Sequence, residues 1–183
     1  MTLNNTERTN METVGVVAGS FDPITRGHEW LISEAARLVD RLHVVIGVNP
    51  AKKYLFSDDE RKRLVQACVA DLDMSGTPTT VHFLSNDLLI QFAVKAGASH
   101  LIRGIRDTSD FSYETQMALV NRKIAPQIKT VYMVPPPELS EVSSSTVRGL
   151  VGFSGWQDIV KGYVHPSVLQ AFEEQQAQRK APC

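Results

Sequence analysis

Five short apolar runs punctuate the chain: Val14 to Ala18, Leu42 to Val48, Val81 to Leu84, His100 to Arg103 and Thr130 to Val134. Each is bounded by turn residues and lacks the alternation of a strand with one wet face, so they predict five buried strands. Between them apolar residues recur at helical spacing, as Leu31, Ala35 and Leu38, then Leu64, Cys68 and Leu72, then Leu89, Phe92 and Ala96 before the stop signal Gly97. Ser57-Asp58-Asp59-Glu60 has the form of a capping box and starts the second helix. A fourth helix is expected from about Asp110 to Lys123. From Ser143 onward the pattern predicts two or three short helices, the last beginning near Pro166. Strands alternating with helices need right-handed crossovers, which give a parallel sheet covered on both faces. The expected fold is α/β and doubly wound. No repeat or interdomain linker interrupts it, so the chain divides into a flexible extension over 1–13, one domain over 14–176 and a polar tail over 177–183.

Composition narrows the function classes. With 43% hydrophobic residues in 183, one sizeable core is expected. Nineteen basic against twenty acidic residues give a net charge of -1, which argues against coating nucleic acid or an anionic membrane, so phosphate recognition has to be local. Cys68 and Cys183 make no disulfide framework; Cys68 reads as core filler, and the usage fits a reducing compartment. The first thirteen residues lack an apolar h-region, and no later run approaches the roughly 18 apolar residues of a membrane span. A cytoplasmic protein is expected.

Four segments then acquire chemical meaning, because ligands of open parallel sheets sit at the carboxyl ends of the strands. Ala18 to His28 joins the first strand to a helix through Gly19, Pro23 and Gly27, and delivers His28 to a helix N-terminus, where N–H groups attract phosphate. This loop suggests a nucleotide site with a reactive histidine. Asn49-Pro50-Ala51-Lys52-Lys53 follows the second strand and can place Lys52 on a substrate phosphate. Ile102 to Asp107 sets Arg103 and Arg106 around Gly104, and Glu114 on the following helix can accept from an amine or a ribose hydroxyl. Ser143-Ser144-Ser145 opens a helix and forms a further anion cradle. Read without context, each has a plainer role: a turn, solvated lysines, surface ion pairs, a helix cap.

Taken together and in order, these segments resemble the nucleotidyltransferase superfamily marked by a (His/Thr)-x-Gly-His motif, and within it the bacterial phosphopantetheine adenylyltransferase family. The carriers are Thr25-Arg26-Gly27-His28, Pro50-Ala51-Lys52-Lys53, Arg103-Gly104-Ile105-Arg106, Asp110-Phe111-Ser112-Tyr113-Glu114 and Val142-Ser143-Ser144-Ser145, within a similarity running from about Val14 to Glu173. The resemblance implies a Rossmann-like five-stranded parallel sheet with C-terminal helices, a homohexamer, and adenylyl transfer from ATP to 4'-phosphopantetheine. It assigns Ser20, Lys52, Leu89 and Arg103 to phosphopantetheine. To ATP it assigns Ser20, Phe21, His28, Gly104, Ile105, Arg106, Glu114, Leu139, Ser140, Glu141, Val142, Ser143, Ser144 and Ser145. His28, Lys52, Ser20 and Arg103 are the expected catalytic set. Ser20 stands where threonine is commoner, Ala18 where proline is frequent, Leu139 where an aromatic is often found, and Gly149 where an acidic residue is commoner.

No carboxylate cluster is built to hold a metal, so Mg²⁺ is expected to arrive with ATP, and Asp22 beside Pro23 reads as a loop-fixing residue. Feedback by coenzyme A is a further expectation, since that end product shares the pantetheine arm. Two rivals stay open at this point: a related transferase acting on nicotinate mononucleotide or on a polyol phosphate with CTP, and a nucleotide sensor without catalysis. Thr25, the lysine loop and the arginine pair favour pantetheine; the histidine is more than a sensor needs.

Overall fold

In the computed structural model, which describes residues 12–49, 52–85 and 87–180, the apolar runs form five strands: β1 (Val14–Gly19), β2 (Arg41–Gly47), β3 (Thr79–Leu84), β4 (His100–Gly104) and β5 (Lys129–Met133). They make one sheet in the order β3-β2-β1-β4-β5, and every neighbouring pair is parallel. Parallel neighbours require crossovers, supplied by α1 (Arg26–Ala36), α2 (Asp58–Asp71), α3 (Leu89–Lys95) and α4 (Thr108–Ile124). The chain ends with α5 (Ser144–Leu150), α6 (Trp156–Val160) and α7 (Pro166–Lys180). Residues 1–11 of the expected extension, Pro50 and Ala51 of the lysine loop, and Cys183 lie outside the described residues.

The sheet buries both faces. On one, Val17, Leu42, Val44, Ile46 and Ile102 pack with residues of α1, α2 and α7; on the other, Val14, Val16, Val45 and Leu101 pack with Ile90 and Ala93 of α3. Strand residues alternate between these two cores, as a period of two demands. Cys68 is wholly buried among the first set, and burial pushes its thiol up to about 12, so it stays protonated and inert. The capping box of α2 is formed, with the Ser57 N–H donating to Glu60 at 2.8 Å.

Three expectations shift in detail. Leu38 is 55% exposed, because α1 ends at Ala36 and Leu38 lies beyond its last turn. In α3 the fully buried pair is Ile90 and Ala93, one residue out of phase from Leu89 and Phe92, which are half-buried. The fourth helix starts at Thr108, since the Asp107 carboxylate caps it by accepting from the Asp110 N–H at 2.8 Å. α4 buries none of its residues; Phe111, Tyr113, Met117, Leu119, Val120 and Ile124 are all exposed.

β1 is the centre of the order, with β2 on one side and β4 on the other. The chain leaves β1 toward one face and β4 toward the other, and such a reversal opens a crevice at the strand ends.

Candidate active site

That crevice is a cleft of about 440 Å³. Ser20, Lys52, Arg103 and His28 all line it, as do Gly104, Arg106, Glu114, Leu139, Val142 and Ser143 to Ser145. Five separate stretches of sequence therefore meet around one volume.

The β1–α1 loop fixes the histidine. Phe21 takes a left-handed backbone (φ 47°) and is buried, its ring edge-on to His28 with centroids 5.0 Å apart. A Cβ on Gly19 would stand 3.2 Å from that ring, closer than side chains ordinarily pack, so a larger residue there would press on the ring. The Thr25 N–H donates to His28 Nδ1 at 3.1 Å. With Nδ1 accepting, the neutral imidazole carries its proton on Nε2. Burial, followed by Arg106 and Arg103 nearby, pulls the His28 pKa down to about 4. His28 is thus neutral at physiological pH and presents one N–H donor; a general acid or base titrating near 7 is not what this setting makes.

The same loop is tied to its neighbours. The buried Asp22 carboxylate accepts from the Leu55 N–H at 2.9 Å and from the Phe56 N–H at 2.9 Å, which joins it to the lysine loop. Arg148 of α5 donates to the Asp22 carbonyl oxygen, and the Ser144 hydroxyl donates to the Pro23 carbonyl oxygen at 2.8 Å. Asp22 is a loop-fixing residue.

On the opposite wall both arginines are held by carboxylates. Arg103 donates from Nε (2.9 Å) and Nη2 (2.6 Å) to the two oxygens of Glu114, and its Nη1 reaches the Ala18 carbonyl oxygen at 2.5 Å. Arg106 meets Asp110 through Nε (2.8 Å) and Nη2 (3.1 Å). These forks are rigid and oriented. The serine run is also partly engaged: Ser143 Oγ accepts from the Thr146 N–H at 3.0 Å and caps α5.

Not every candidate reaches the cleft. Phe21 and Ile105 are buried behind its wall; Ser140 donates to the Pro137 carbonyl oxygen at 2.7 Å, and Glu141 accepts from the Tyr163 hydroxyl at 3.1 Å. Leu89 lines a second cavity of about 220 Å³ between α3 and α4, with Tyr113, Met117 and Ile124. The two cavities share Arg103 and Glu114 as a common wall. Arg148 and Trp30 also line the cleft, and the sequence singles out neither as a binding residue. Arg148 follows Ser144 by four residues on α5, so the two share a helix face, and that spacing is the signal that finds it.

Three carboxylates stand at the cleft, Asp22 behind it and Asp110 and Glu114 on its wall, and each is taken by protein donors. Among the described residues no cluster of three or more His, Cys, Asp or Glu side chains is arranged to hold a metal ion, and no helix is long and apolar enough to cross a membrane.

The cytidylyltransferase-like family matches residues 16–150. Phosphopantetheine adenylyltransferase of Chromobacterium violaceum is 40% identical over 164 residues, covering 87% of this chain and 98% of that protein. The enzyme of the same name from Clostridium perfringens is 41% identical over 161 residues, covering 88% and 93%. Among solved structures, nicotinic acid mononucleotide adenylyltransferase of Plasmodium falciparum complexed with NaAD aligns with a TM-score of 0.66 at 17% identity, over 90% of this chain and 96% of that one. At that identity the likeness is one of fold.

Proposed function

The chain belongs to the phosphopantetheine adenylyltransferases within the cytidylyltransferase-like family, and on that premise we propose how its cleft divides the work of the reaction. The reaction moves the adenylyl group of ATP to 4'-phosphopantetheine, giving dephospho-coenzyme A and pyrophosphate, a step of coenzyme A biosynthesis. The acceptor phosphate attacks the α-phosphorus in line, its P–O bond forms as the bond to pyrophosphate breaks, and the electron pair leaves on pyrophosphate.

A phosphate monoester has a second pKa of about 6, so the nucleophile is already largely dianionic at neutral pH and needs no base. The difficulty is repulsion between two anions and the charge that grows on the α-phosphoryl oxygens. Positioning and preorganised donors answer it. His28 Nε2–H donates to the α-phosphate; its locked tautomer and depressed pKa support this role. Ser20, Lys52 and Arg103 aim the acceptor phosphate. Gly104 to Arg106, Glu114, and the segment Leu139 to Ser145 hold the nucleotide, with Ser143, Ser144 and Ser145 toward its phosphates and Phe21 acting from behind on His28. The pantetheine arm lies in the second cavity against Leu89, whose apolar lining suits it. With the cleft carboxylates already engaged by Arg103 and Arg106, Mg²⁺ would be held by the triphosphate rather than by these side chains, and would supply charge neutralisation there.

The observation that carries this reading is the convergence of Ser20, His28, Lys52, Arg103 and Arg106 on one cleft. Pyrophosphate release with ATP and phosphopantetheine, nicotinate mononucleotide or glycerol phosphate in turn tests it: release with phosphopantetheine is expected, and none with it refutes the reading. The exposed apolar residues of α4 support assembly as a homohexamer; a monomeric mass in solution contradicts that. Coenzyme A, sharing the pantetheine arm, is expected to compete at the same cleft, and a binding assay showing no competition with ATP or the acceptor removes the idea.

A further inference from the structure

Arg61 of α2 is wholly buried, and among the described residues its Nε has no hydrogen-bond partner. Taking a guanidinium out of water costs several kcal/mol on the order-of-magnitude scale for buried ions, and an apolar side chain of similar volume often serves stability as well or better. Its carboxylate partner among the described residues, Asp58 at 2.5 Å, is itself 59% exposed. Burial here has a geometric return instead. Nη1 donates to the Ser20 carbonyl oxygen at 2.9 Å and stands 3.5 Å from that of Gly47, which joins the chain just past β1 to the end of β2. The guanidinium carbon lies 4.0 Å from the centre of the Tyr54 ring. The Tyr54 hydroxyl accepts from the Asn49 N–H at 2.6 Å, and the Asn49 carbonyl oxygen accepts from the Lys52 N–H at 2.9 Å.

One side chain therefore holds the backbone of Ser20 and the aromatic anchor of the loop that carries Lys52. We propose that Arg61 is a positioning residue that sets the separation of Ser20 and Lys52 and so aims the acceptor phosphate. Arg61 touches no substrate. The inference rests on the assignment of Ser20 and Lys52 to that phosphate, and the planar fork, which a lysine lacks, is what lets a single group meet two strand ends and a ring.

The test compares Arg61→Met, Arg61→Lys and Tyr54→Phe by melting temperature and by kcat and KM for each substrate. Arg61→Met removes the donor to the Ser20 carbonyl oxygen and is expected to melt several degrees below the wild type while still folding. Its kcat/KM for phosphopantetheine falls by about 10- to 100-fold, the scale of a displacement on the order of 1 Å, while KM for ATP changes by less than about 2-fold. Arg61→Lys falls between the two. Tyr54→Phe keeps the ring but removes the hydroxyl that accepts from the Asn49 N–H, and gives a smaller loss, about 3- to 10-fold, with the same selectivity for the acceptor. Wild-type acceptor kinetics in Arg61→Met, or equal losses toward both substrates, overturn the proposal. Should Arg61→Met fail to fold, Tyr54→Phe decides by the same criterion. If Lys52→Ala weakens ATP and spares the acceptor, the assignment of Lys52 is what has failed; if it weakens the acceptor while Arg61→Met and Tyr54→Phe do not, the failure is that of Arg61 alone.

Discussion

The two walls of the cleft are built on different terms. The wall made by the β1–α1 loop and α5 is assembled in advance: His28 has one tautomer, Asp22 clamps the next loop, and Ser144 ties α5 to Pro23. The wall made by β4 and α4 is held by ion pairs, Arg103 with Glu114 and Arg106 with Asp110, on a helix none of whose residues is fully buried. A donor that must meet charge appearing only in the transition state is best fixed beforehand. On the proposed assignments, His28 on the first wall is expected to carry rate, and Arg103 and Arg106 on the second to carry binding.

Breaking the first wall has the largest expected effect. His28→Ala should lose about 10²-fold or more in kcat, with KM for ATP changed far less, as measured by steady-state pyrophosphate release. Near-normal turnover would move His28 out of the chemistry. Lys52→Ala, at the acceptor end, should raise KM for phosphopantetheine by about 30-fold, the scale for removing one charged contact, and leave ATP nearly unaffected. On the second wall, Glu114→Gln removes the charge facing Arg103; it should cost about 1–2 kcal/mol and lower Tm by several degrees, because the pair is only partly screened by water. An unchanged Tm would mean that the pair does not hold that wall.

A separate effect is that of pH on stability. His28 has a folded pKa of about 4 against an ordinary 6.5, so between those values the unfolded chain binds more protons than the folded one. Stability therefore rises with pH through that window and falls as pH drops from 6.5 toward 4. The wild type should lose Tm on acidification more steeply than His28→Asn, and parallel curves would show that His28 is not held neutral.

How much of this the sequence carries follows the same division. The strands are legible because a strand buried on both faces must be apolar along its length, as Val14 to Val17 and Val44 to Ile46 are. The first wall is legible because a strand, a tight turn and a helix N-terminus are local features. Arg61 is not, since an arginine three residues after Asp58 on a helix reads as a solvated i,i+3 pair; its burial depends on Tyr54, Phe83 and two strand ends that meet only in the fold. α4 is a different case. The helix itself is legible from about Asp110 to Lys123, but its periodicity says nothing of which side stays open: among the described residues Phe111, Tyr113, Met117, Leu119, Val120 and Ile124 are all exposed.

The central claim is that the acceptor phosphate is its own nucleophile and His28 a neutral donor, and the pH dependence of kcat/KM for phosphopantetheine in wild type and His28→Asn tests it most directly. The account predicts an acid limb near pH 6 that belongs to the substrate's phosphate and persists, at lower rate, in the variant. A limb present in the wild type and absent from His28→Asn would contradict it, because the titrating group would then be the histidine.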